Sequence, residues 1–301
     1  DVLDCMWIQK LHSLGMLSGS FLPDSSTEKL RTYCRHRAGL IETAAIHSHK
    51  MQKYLRLLNF RLDVVVKDIC GQTGLAIIEQ ICKGETDSGA LATLRHGNCK
   101  KSKQEISKAL QTNAREDYIF GLKQEYELYK IIQKKIVECD KEISKQINAN
   151  LRSTPEKLRH KIKEKVHKRI NKNTPKNIDF NKVSYQYFDG IDLMAIEGFS
   201  HGTAMTLISE MGSEGLHNFR SGKMFASWLR LAPNNKISGG KVLSKRIPKG
   251  SNRLKIALRQ AANVIGNLRD THLSDFFKRV CYRRGRPAAV SATARKLAVI
   301  I

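Results

Sequence analysis

Apolar residues recur along most of this chain at the three- and four-residue steps of a helix face. The steps are most regular over residues 27–60 and 114–151, where the apolar positions form a single stripe on each segment. Glycines divide the sequence between these segments into shorter pieces. The pattern therefore predicts a mainly α fold, with helices over residues 1–19, 27–60, 114–151, 271–284 and 287–301 and several short helices over 62–112.

The first long segment, residues 27–60, has a basic character outside its apolar stripe. Ser25 or Ser26 provides a hydroxyl that would cap its first turn. A helix of this kind could lie along a phosphate backbone, or its charges could simply face solvent, and the sequence leaves both readings open. The basic residues in question are Arg31, Arg35, Arg37, Lys50, Lys53, Arg56 and Arg61.

The second long segment, residues 114–151, predicts a helix of roughly 55 Å at the usual rise per residue. Opposite charges three residues apart, such as Glu138 and Lys141, support a long solvated helix. One interpretation is a coiled coil or helical hairpin that serves as a dimerisation or spacer arm. The competing interpretation is that it packs in cis against the helix over residues 27–60.

Residues 152–182 are predicted to be a charged linker. Between Glu156 and Lys176 there are nine Lys and Arg against two Glu, and Pro155 and Pro175 bracket the run. The chain is therefore expected to divide into residues 1–24, a helical region over 25–151, the linker over 152–182 and a C-terminal domain over 183–301.

The balance of charge favours a polyanionic partner. The 301 residues contain 53 Lys and Arg against 28 Asp and Glu, for a net charge of +25. The excess is concentrated in residues 215–269, which hold twelve Lys and Arg and no acid. Such a concentration of positive potential is typical of a nucleic-acid surface. No apolar run approaches the roughly 20 residues that span a bilayer, so a membrane is not expected as a partner.

The cysteine pattern indicates the redox compartment of the protein, and the first residues indicate whether the chain is part of a longer protein. Seven cysteines are scattered without a C-x-x-C pair, which favours reduced thiols in a cytoplasm over a disulfide framework or a zinc site. The first helix lacks the pattern of a secretory signal, so we expect no signal peptide. Because the chain opens at Asp1 without an initiator Met, we expect it to be a fragment of a longer protein.

Residues 191–212 predict two short helices joined at Gly198, an arrangement similar to a helix-hairpin-helix. In that motif a glycine-rich turn offers backbone N–H groups to a phosphate. The second glycine of the usual turn is replaced here by Ser200. The element is therefore compatible with a purely structural role.

Two places carry candidate chemistry. Asp1 and Asp4 share one face of the first helix and could hold a divalent metal, although acidic residues are common in a first turn because of the helix dipole. Ser238 stands beside Gly239 and Gly240 among basic residues, where a phosphate could approach a hydroxyl. Taken alone, that sequence is an ordinary turn.

Four stretches carry a resemblance to a known family: DVLDC at the start, GIDLMAIEGF at 190–199, FASWLRLAPNNKISGGKVL at 225–243 and ATARKLAVI at 292–300. Together they resemble a transposase of the insertion-sequence one-ten family, in its eleven-eleven branch, and are similar to the Piv-type DNA invertases. The resemblance extends over essentially the whole chain.

The resemblance implies an RNase H-like, RuvC-type domain with an Asp-Glu-Asp-Asp metal site, a helical coiled-coil insertion and a C-terminal α-helical transposase domain with a catalytic serine. Asp1 and Asp4 match the last two acids, so residues 1–24 would be the last helix of the RuvC-like domain. The first Asp and the Glu would lie upstream of this chain. The fragment is accordingly expected to be inactive on its own.

The resemblance also assigns residue roles. Ser238 would attack a scissile phosphate, with Ser244 and Ser251 as the alternative hydroxyls, and Asp1 and Asp4 would hold Mg²⁺. The glycines would let the backbone approach the phosphate, and nearby cations would stabilise its charge. The expected nucleic-acid-binding residues are Lys236, Gly239, Gly240, Lys241, Lys245, Arg246, Lys249 and Arg253.

The implied function is cutting and rejoining of DNA by the transposase of an insertion sequence. The implied partners are the DNA of the element ends and target, a structured guide RNA encoded by the element, and further copies of the chain. The implied location is a bacterial cytoplasm, at the nucleoid. The alternative is a protein that binds DNA or RNA through the same basic surfaces and cuts neither.

Overall fold

A computed structural model describes residues 1–17, 21–151, 170–212, 214–244, 246–250 and 252–301. The predicted mainly α class is confirmed, and one short β-hairpin was not predicted. None of the described helices combines the length and apolarity needed to cross a bilayer. The helices are α1 Val2–Ser13, α2 Ser25–Leu57, α3 Leu62–Val65, α4 Gln72–Cys82, α5 Ser88–Thr93, α6 Lys103–Ala109, α7 Glu116–Asn150, α8 Phe180–Tyr187, α9 His201–Met211, α10 Gly222–Trp228, α11 Arg253–Ile265, α12 His272–Arg284 and α13 Arg286–Ile300.

The described residues form two compact units. One takes in Asp1–Arg31 and Phe180–Ile301, and the other takes in Thr32–Ala149 and residues 170–179. The predicted linker over 152–182 falls mostly on residues 152–169, which lie outside the described residues. Its described remainder is not extended: Lys172 bonds to Asp68 at 2.5 Å, and Phe180 begins α8.

In the unit built on Thr32–Ala149, helices α2 and α7 run antiparallel and pack against each other. Their contacts pair residues early in one helix with residues late in the other, including Arg37 with Asp140 and, at 2.5 Å, His47 Nδ1 with Glu125 Oε2. Burial raises the pKa of Glu125, but hydrogen bonds from His47 and Lys50 outweigh it, so the net pKa is lowered. The cis-packing interpretation of residues 114–151 is therefore the one that the structure supports.

In this packing, several basic residues of α2 form ion pairs with carboxylates instead of facing solvent freely. Arg37 is only 4% exposed and forms an ion pair with Asp140. Arg56 bonds to Asp63 at 2.8 Å, and Lys50 lies 3.2 Å from Glu125. These cations neutralise carboxylates of their own unit, so the reading of α2 as a uniform phosphate-binding face is weakened.

The start of α2 is held by Asp24, not by the serines predicted to cap it. The Asp24 carboxylate accepts hydrogen bonds from the backbone and hydroxyl groups of both Ser26 and Thr27. Burial raises the pKa of Asp24, but these bonds to the ionised form lower it to about 2. The prediction failed because a carboxylate one residue earlier is an equally good cap and reaches more donors.

In the other unit, α13 lies against α10, α11 and α12, and α9 packs on α11. The residues just before and within the first turns of α2 are fixed to this unit. Phe21 meets the Trp228 ring edge-on at 5.6 Å between ring centres, and Arg31 Nη2 donates to the Glu210 carbonyl at 2.6 Å. In contrast, α1 has no buried residue, and Trp7 is 60% exposed.

The predicted pair of helices around Gly198 is only partly correct. The second is α9, but the first is a single 3-10 turn, Leu193–Ala195, capped by Asp192. Gly198 has φ of +71°, and a Cβ there would meet Ile265 Cγ1 at 2.5 Å and the Ala261 carbonyl oxygen at 2.8 Å. Gly198 therefore allows close packing of this turn on α11, which favours the structural role.

This packing predicts that Gly198→Ala destabilises its unit by about 2 kcal/mol, because the methyl group overpacks the contact with α11. The measurement is denaturant unfolding followed by Trp228 fluorescence in a Trp7→Phe background. Gly202→Ala is the matched control: a Cβ at this exposed helical glycine meets only Ser200 Oγ, at 3.8 Å. We expect this control to gain about 0.5 kcal/mol. Equal effects of the two variants would contradict the prediction.

Candidate nucleic-acid interface

The sequence from Lys236 to Ser244 forms an antiparallel β-hairpin of two strands, β1 Lys236–Ser238 and β2 Lys241–Ser244. Gly239 and Gly240 make the two-residue turn with φ of +53° and +72°. Positive φ at both central positions is the requirement of a type I′ turn, which matches the twist of the strands. A Gly-Gly pair flanked by Ile237 and Val242 is a signal from which the hairpin could have been predicted.

This hairpin, residues 236–244, is named here the arm, because it projects into solvent. Ile237 is 61% exposed and Leu243 is 69% exposed. Side chains of paired residues in a hairpin lie on the same face. Ser238 pairs with Lys241 and Ile237 pairs with Val242, so the arm has a hydroxyl and ammonium face and an apolar face.

The turn glycines are required for their backbone conformation. A Cβ built on either Gly239 or Gly240 meets no atom within 4 Å. The positive φ values alone therefore disfavour other residues at these two positions. The open space above the turn leaves room for a ligand to approach the backbone and the adjacent Ser238.

The base of the arm is anchored in the fold by two buried leucines and three hydrogen bonds. Leu229 and Leu231 are buried on either side of Arg230, and the Asn234 N–H donates to the Arg246 carbonyl at 3.1 Å. Arg230 Nη1 donates to the Lys249 carbonyl at 2.6 Å. From the first turn of α11, Lys255 Nζ donates to the next carbonyl, that of Gly250, at 3.1 Å. These bonds hold the two chain segments from which the exposed hairpin extends in a fixed position.

Helix α11 begins directly after this anchored loop. Asn252 is its cap, and its side-chain oxygen accepts from the N–H groups of Leu254, at 2.8 Å, and Lys255, at 3.4 Å. Ser251, the residue before this cap and one of the alternative candidate hydroxyls, lies outside the described residues. Arg253 is exposed in the first helical turn.

The structure places most of the predicted nucleic-acid-binding residues in one region. Lys236, Ser238, Gly239, Gly240 and Lys241 lie in the arm. The remaining cations lie at its base, where Arg246, Lys249 and Arg253 are exposed; Lys245 lies outside the described residues.

The two described candidate hydroxyls differ in their bonding. Ser244 Oγ accepts a hydrogen bond from the backbone N–H of Arg246 at 3.3 Å and is half-buried. Ser238 is exposed at the last position of β1, immediately before the turn. Of these two serines, Ser238 is therefore the more accessible to an incoming phosphate.

The two candidate metal ligands lie on α1, apart from the arm in sequence. Asp1 is at the N-cap position of this helix, where its side chain makes no capping hydrogen bond, and Asp4 lies in the first turn. Their side chains are 90% and 82% exposed. The α-amino group of Asp1 is 3.9 Å from Asp4 Oδ2. Within the described residues no three His, Cys, Asp or Glu side chains come together as a metal cluster.

Mg²⁺ is commonly held by one or two carboxylates, several waters and the phosphates of its substrate. Asp1 and Asp4, on one face of one helical turn, fit that minimal set in ligand type and number. Their exposure leaves the remaining coordination positions open to water and to phosphate oxygens.

Two residues of this region were not predicted. Lys255 is only 7% exposed, although the sequence places it within a run of basic residues that reads as solvated. Arg230 has φ of +54°, an uncommon conformation for a residue other than glycine. The single signal that could have indicated Arg230 is its position between two apolar residues immediately before Pro233.

Comparison with known families finds one match in this part of the chain. Residues 192–278 match the family described as Transposase IS116/IS110/IS902 family. The matched segment begins at the cap of the 3-10 turn and includes α9, α10, the whole arm and α11. A search of curated proteins found no match. The family match supports a transposase of this general kind.

The turn geometry predicts different outcomes for two substitutions. Gly240→Val should abolish cross-strand NMR contacts between residues 237 and 242, because a β-branched side chain at positive φ costs about 1–2 kcal/mol in a marginal hairpin. Gly239→Asn should retain these contacts, because Asn-Gly is a favoured type I′ pair. Intact cross-strand contacts in Gly240→Val would contradict the assigned turn.

Proposed function

We propose that this chain belongs to a DNA transposase, a site-specific recombinase of an insertion sequence that cuts and rejoins DNA with Ser238 as nucleophile. The observation that carries the proposal is the position of Ser238, exposed at the end of β1 on the arm, inside the segment that matches the transposase family. The cut DNA would be the ends of the element and its target.

The charge around the arm supports DNA as the substrate. Residues 215–269, which include the arm and α11, contain no Asp or Glu. The cations at the base of the arm are exposed and would contact the phosphate backbone, while contacts to base edges or base pairing would supply sequence selectivity. Binding of this kind weakens steeply as salt concentration rises, because phosphate neutralisation releases counterions.

Ser238 would act by covalent catalysis. Its Oγ forms a bond to phosphorus while the bond from phosphorus to one strand oxygen breaks. The serine proton passes to solvent, and the released strand oxygen takes up a proton. Rejoining reverses these events: a strand hydroxyl bonds to phosphorus, the bond to Oγ breaks, and the serine is regenerated. The covalent link conserves the bond energy that resealing requires.

The neighbours of Ser238 have complementary roles in this proposal. Lys241 pairs with Ser238 across the hairpin, and Lys236 lies two residues before Ser238 on the same strand. Both side chains would therefore lie beside the reacting phosphate. Their positive charges would stabilise the negative charge that develops on the phosphoryl oxygens. Gly239 and Gly240 leave the space above the turn open to the phosphate.

Asp1 and Asp4 are proposed as carboxylate ligands of Mg²⁺. When bound there, the ion would polarise the scissile phosphate and lower the pKa of an attacking hydroxyl. The two carboxylates would occupy part of the coordination shell of the ion and leave its remaining positions to the DNA phosphates.

Three further parts of the proposal rest on the family resemblance. A structured RNA encoded by the element would choose the sites by base pairing, which would leave backbone contacts to the protein. More than one copy of the chain would act together on the DNA. The protein would work in a bacterial cytoplasm at the nucleoid. The competing function, nucleic-acid binding without cleavage, predicts the same salt dependence and no covalent intermediate.

The nucleophile is tested with Ser238→Ala in a recombination assay on a plasmid that carries the element with its gene in its natural reading frame. We expect loss of the covalent protein–DNA adduct and at least a thousandfold loss of recombination, because the attacking oxygen is missing. Ser244→Ala is the matched control and should retain both. An adduct that persists in Ser238→Ala would exclude this residue as the nucleophile.

The metal ligands are tested in the same assay with Asp1→Asn and Asp4→Asn together. We expect recombination to fall at least a hundredfold while DNA binding remains, because the neutral amides bind Mg²⁺ poorly. Glu138→Gln, which changes an exposed acid paired with Lys135, should have no effect. Unchanged Mg²⁺-dependent recombination in the double variant would remove Asp1 and Asp4 from the site.

A further inference from the structure

The buried lysine at the base of the arm is an unusual feature of α11. Lys255 is 7% exposed, and its Nζ donates to the Gly250 carbonyl at 3.1 Å. A buried ammonium group is destabilising unless an anion or several acceptors compensate for its lost hydration. Among the described residues, the acceptor of Lys255 Nζ is this one neutral carbonyl, which provides only part of that compensation. The position therefore favours an anionic ligand.

A second cation lies beside Lys255. Arg230 Nη1 donates to the Lys249 carbonyl, and a Cβ on Gly250 would fall 2.1 Å from the same nitrogen. Because Arg230 and Lys255 bond to consecutive carbonyls, their charged groups are neighbours. Arg230 also holds an uncommon backbone conformation, with φ of +54°, which buried leucines on both sides maintain. Residues in such conformations concentrate at functional sites.

A third cation completes the group. Arg259 follows Lys255 by four residues on α11, so the two side chains lie on the same face of the helix. Burial lowers the pKa of Lys255, and the charges of Arg259 and Arg230 lower it further. Like charges thus meet at one place, inside the stretch of sequence that contains no acid.

We propose that Arg230, Lys255 and Arg259, named here the stem cluster, bind a phosphate group of the nucleic-acid backbone at the base of the arm. The identification of the polyanion as nucleic acid rests on the proposed function. The planar guanidinium groups present paired N–H donors that match phosphate oxygens, and the lysine adds a compact positive charge. The phosphate approaches from the side of Arg230, which is exposed.

The stem cluster would also orient the arm. Two of its members already bond to the carbonyls of Lys249 and Gly250, which close the loop that leaves the arm. A phosphate bound there is tied through these two side chains to the chain segment that carries the arm. The stem cluster would therefore fix one point of the nucleic acid relative to Ser238 without contacting the reacting atoms.

The sharpest test is Arg259→Gln, because Arg259 takes no part in the bonds to Lys249 and Gly250 that hold the arm. Binding of a fluorescent DNA duplex to the 301-residue chain is measured by anisotropy over a range of salt concentrations. We expect affinity to fall about tenfold, and the slope of log affinity against log salt concentration to fall by about one, as for loss of one phosphate contact. Arg269→Gln, an exposed arginine in the same acid-free stretch, is the matched control and should leave the slope within half a unit of wild type.

A second variant separates binding from folding. Lys255→Met keeps an unbranched side chain of similar length, and a purely structural role would lower thermal stability without changing the salt slope. We expect the slope to fall in this variant, at a temperature where circular dichroism shows that it is folded. Three results would contradict phosphate binding by the stem cluster. The first is an equal salt slope in wild type, Arg259→Gln and Lys255→Met, and the second is an equal loss of affinity and slope in Arg259→Gln and Arg269→Gln. The third is a wild-type chain that binds no duplex.

Failure of the proposed function would look different. In that case the Ser238 adduct would be missing while Arg259→Gln still lowered the salt slope. Failure of the stem cluster alone would leave the Ser238 adduct intact and all salt slopes alike.

Discussion

The bonds from Arg230 and Lys255 to two consecutive carbonyls are the constraint on which the candidate site depends. A hairpin of two short strands is marginally stable in water when it stands alone. Here the chain enters it through buried Leu229 and Leu231 and leaves it through the loop that these two cations hold. The exposed end of the hairpin is thus displayed by a base that belongs to the packed core of its unit.

That arrangement explains why the cations of the acid-free stretch, residues 215–269, are not all exposed to solvent. Most of the cations on the arm and at its base are exposed, whereas Lys255 is buried and Arg259 is partly buried on α11. In the unit built on Thr32–Ala149, by contrast, ion pairs such as Arg37 with Asp140 and Arg56 with Asp63 neutralise positive charges. The net charge of +25 is therefore unevenly distributed, since residues 215–269 around the arm contain no Asp or Glu to offset their cations.

The helices could be predicted from the sequence because each long one buries a stripe with a regular period. Residues 27–60 and 114–151 correspond to α2 and α7 within a few residues, but their antiparallel contact depended on distant pairs that spacing does not reveal. The sequence of the arm predicts only a turn, because Lys, Ser and Gly dominate it and its strands are only three and four residues long. The burial of Lys255 could not be predicted, because it follows from the path of a loop and not from the pattern of α11.

The arm also leaves both of its outer edges without a neighbouring strand in the described residues. Amide hydrogens that point outward from such edges exchange with solvent almost as fast as in an unfolded chain, because no cross-strand hydrogen bond protects them. Edge groups of this kind also accept an added strand from another chain, unless charges such as those of Lys236 and Lys241 discourage it. The conformation of the arm therefore depends on the packed residues that anchor its base. Slower exchange of its amide hydrogens would reveal any partner that binds along its edges.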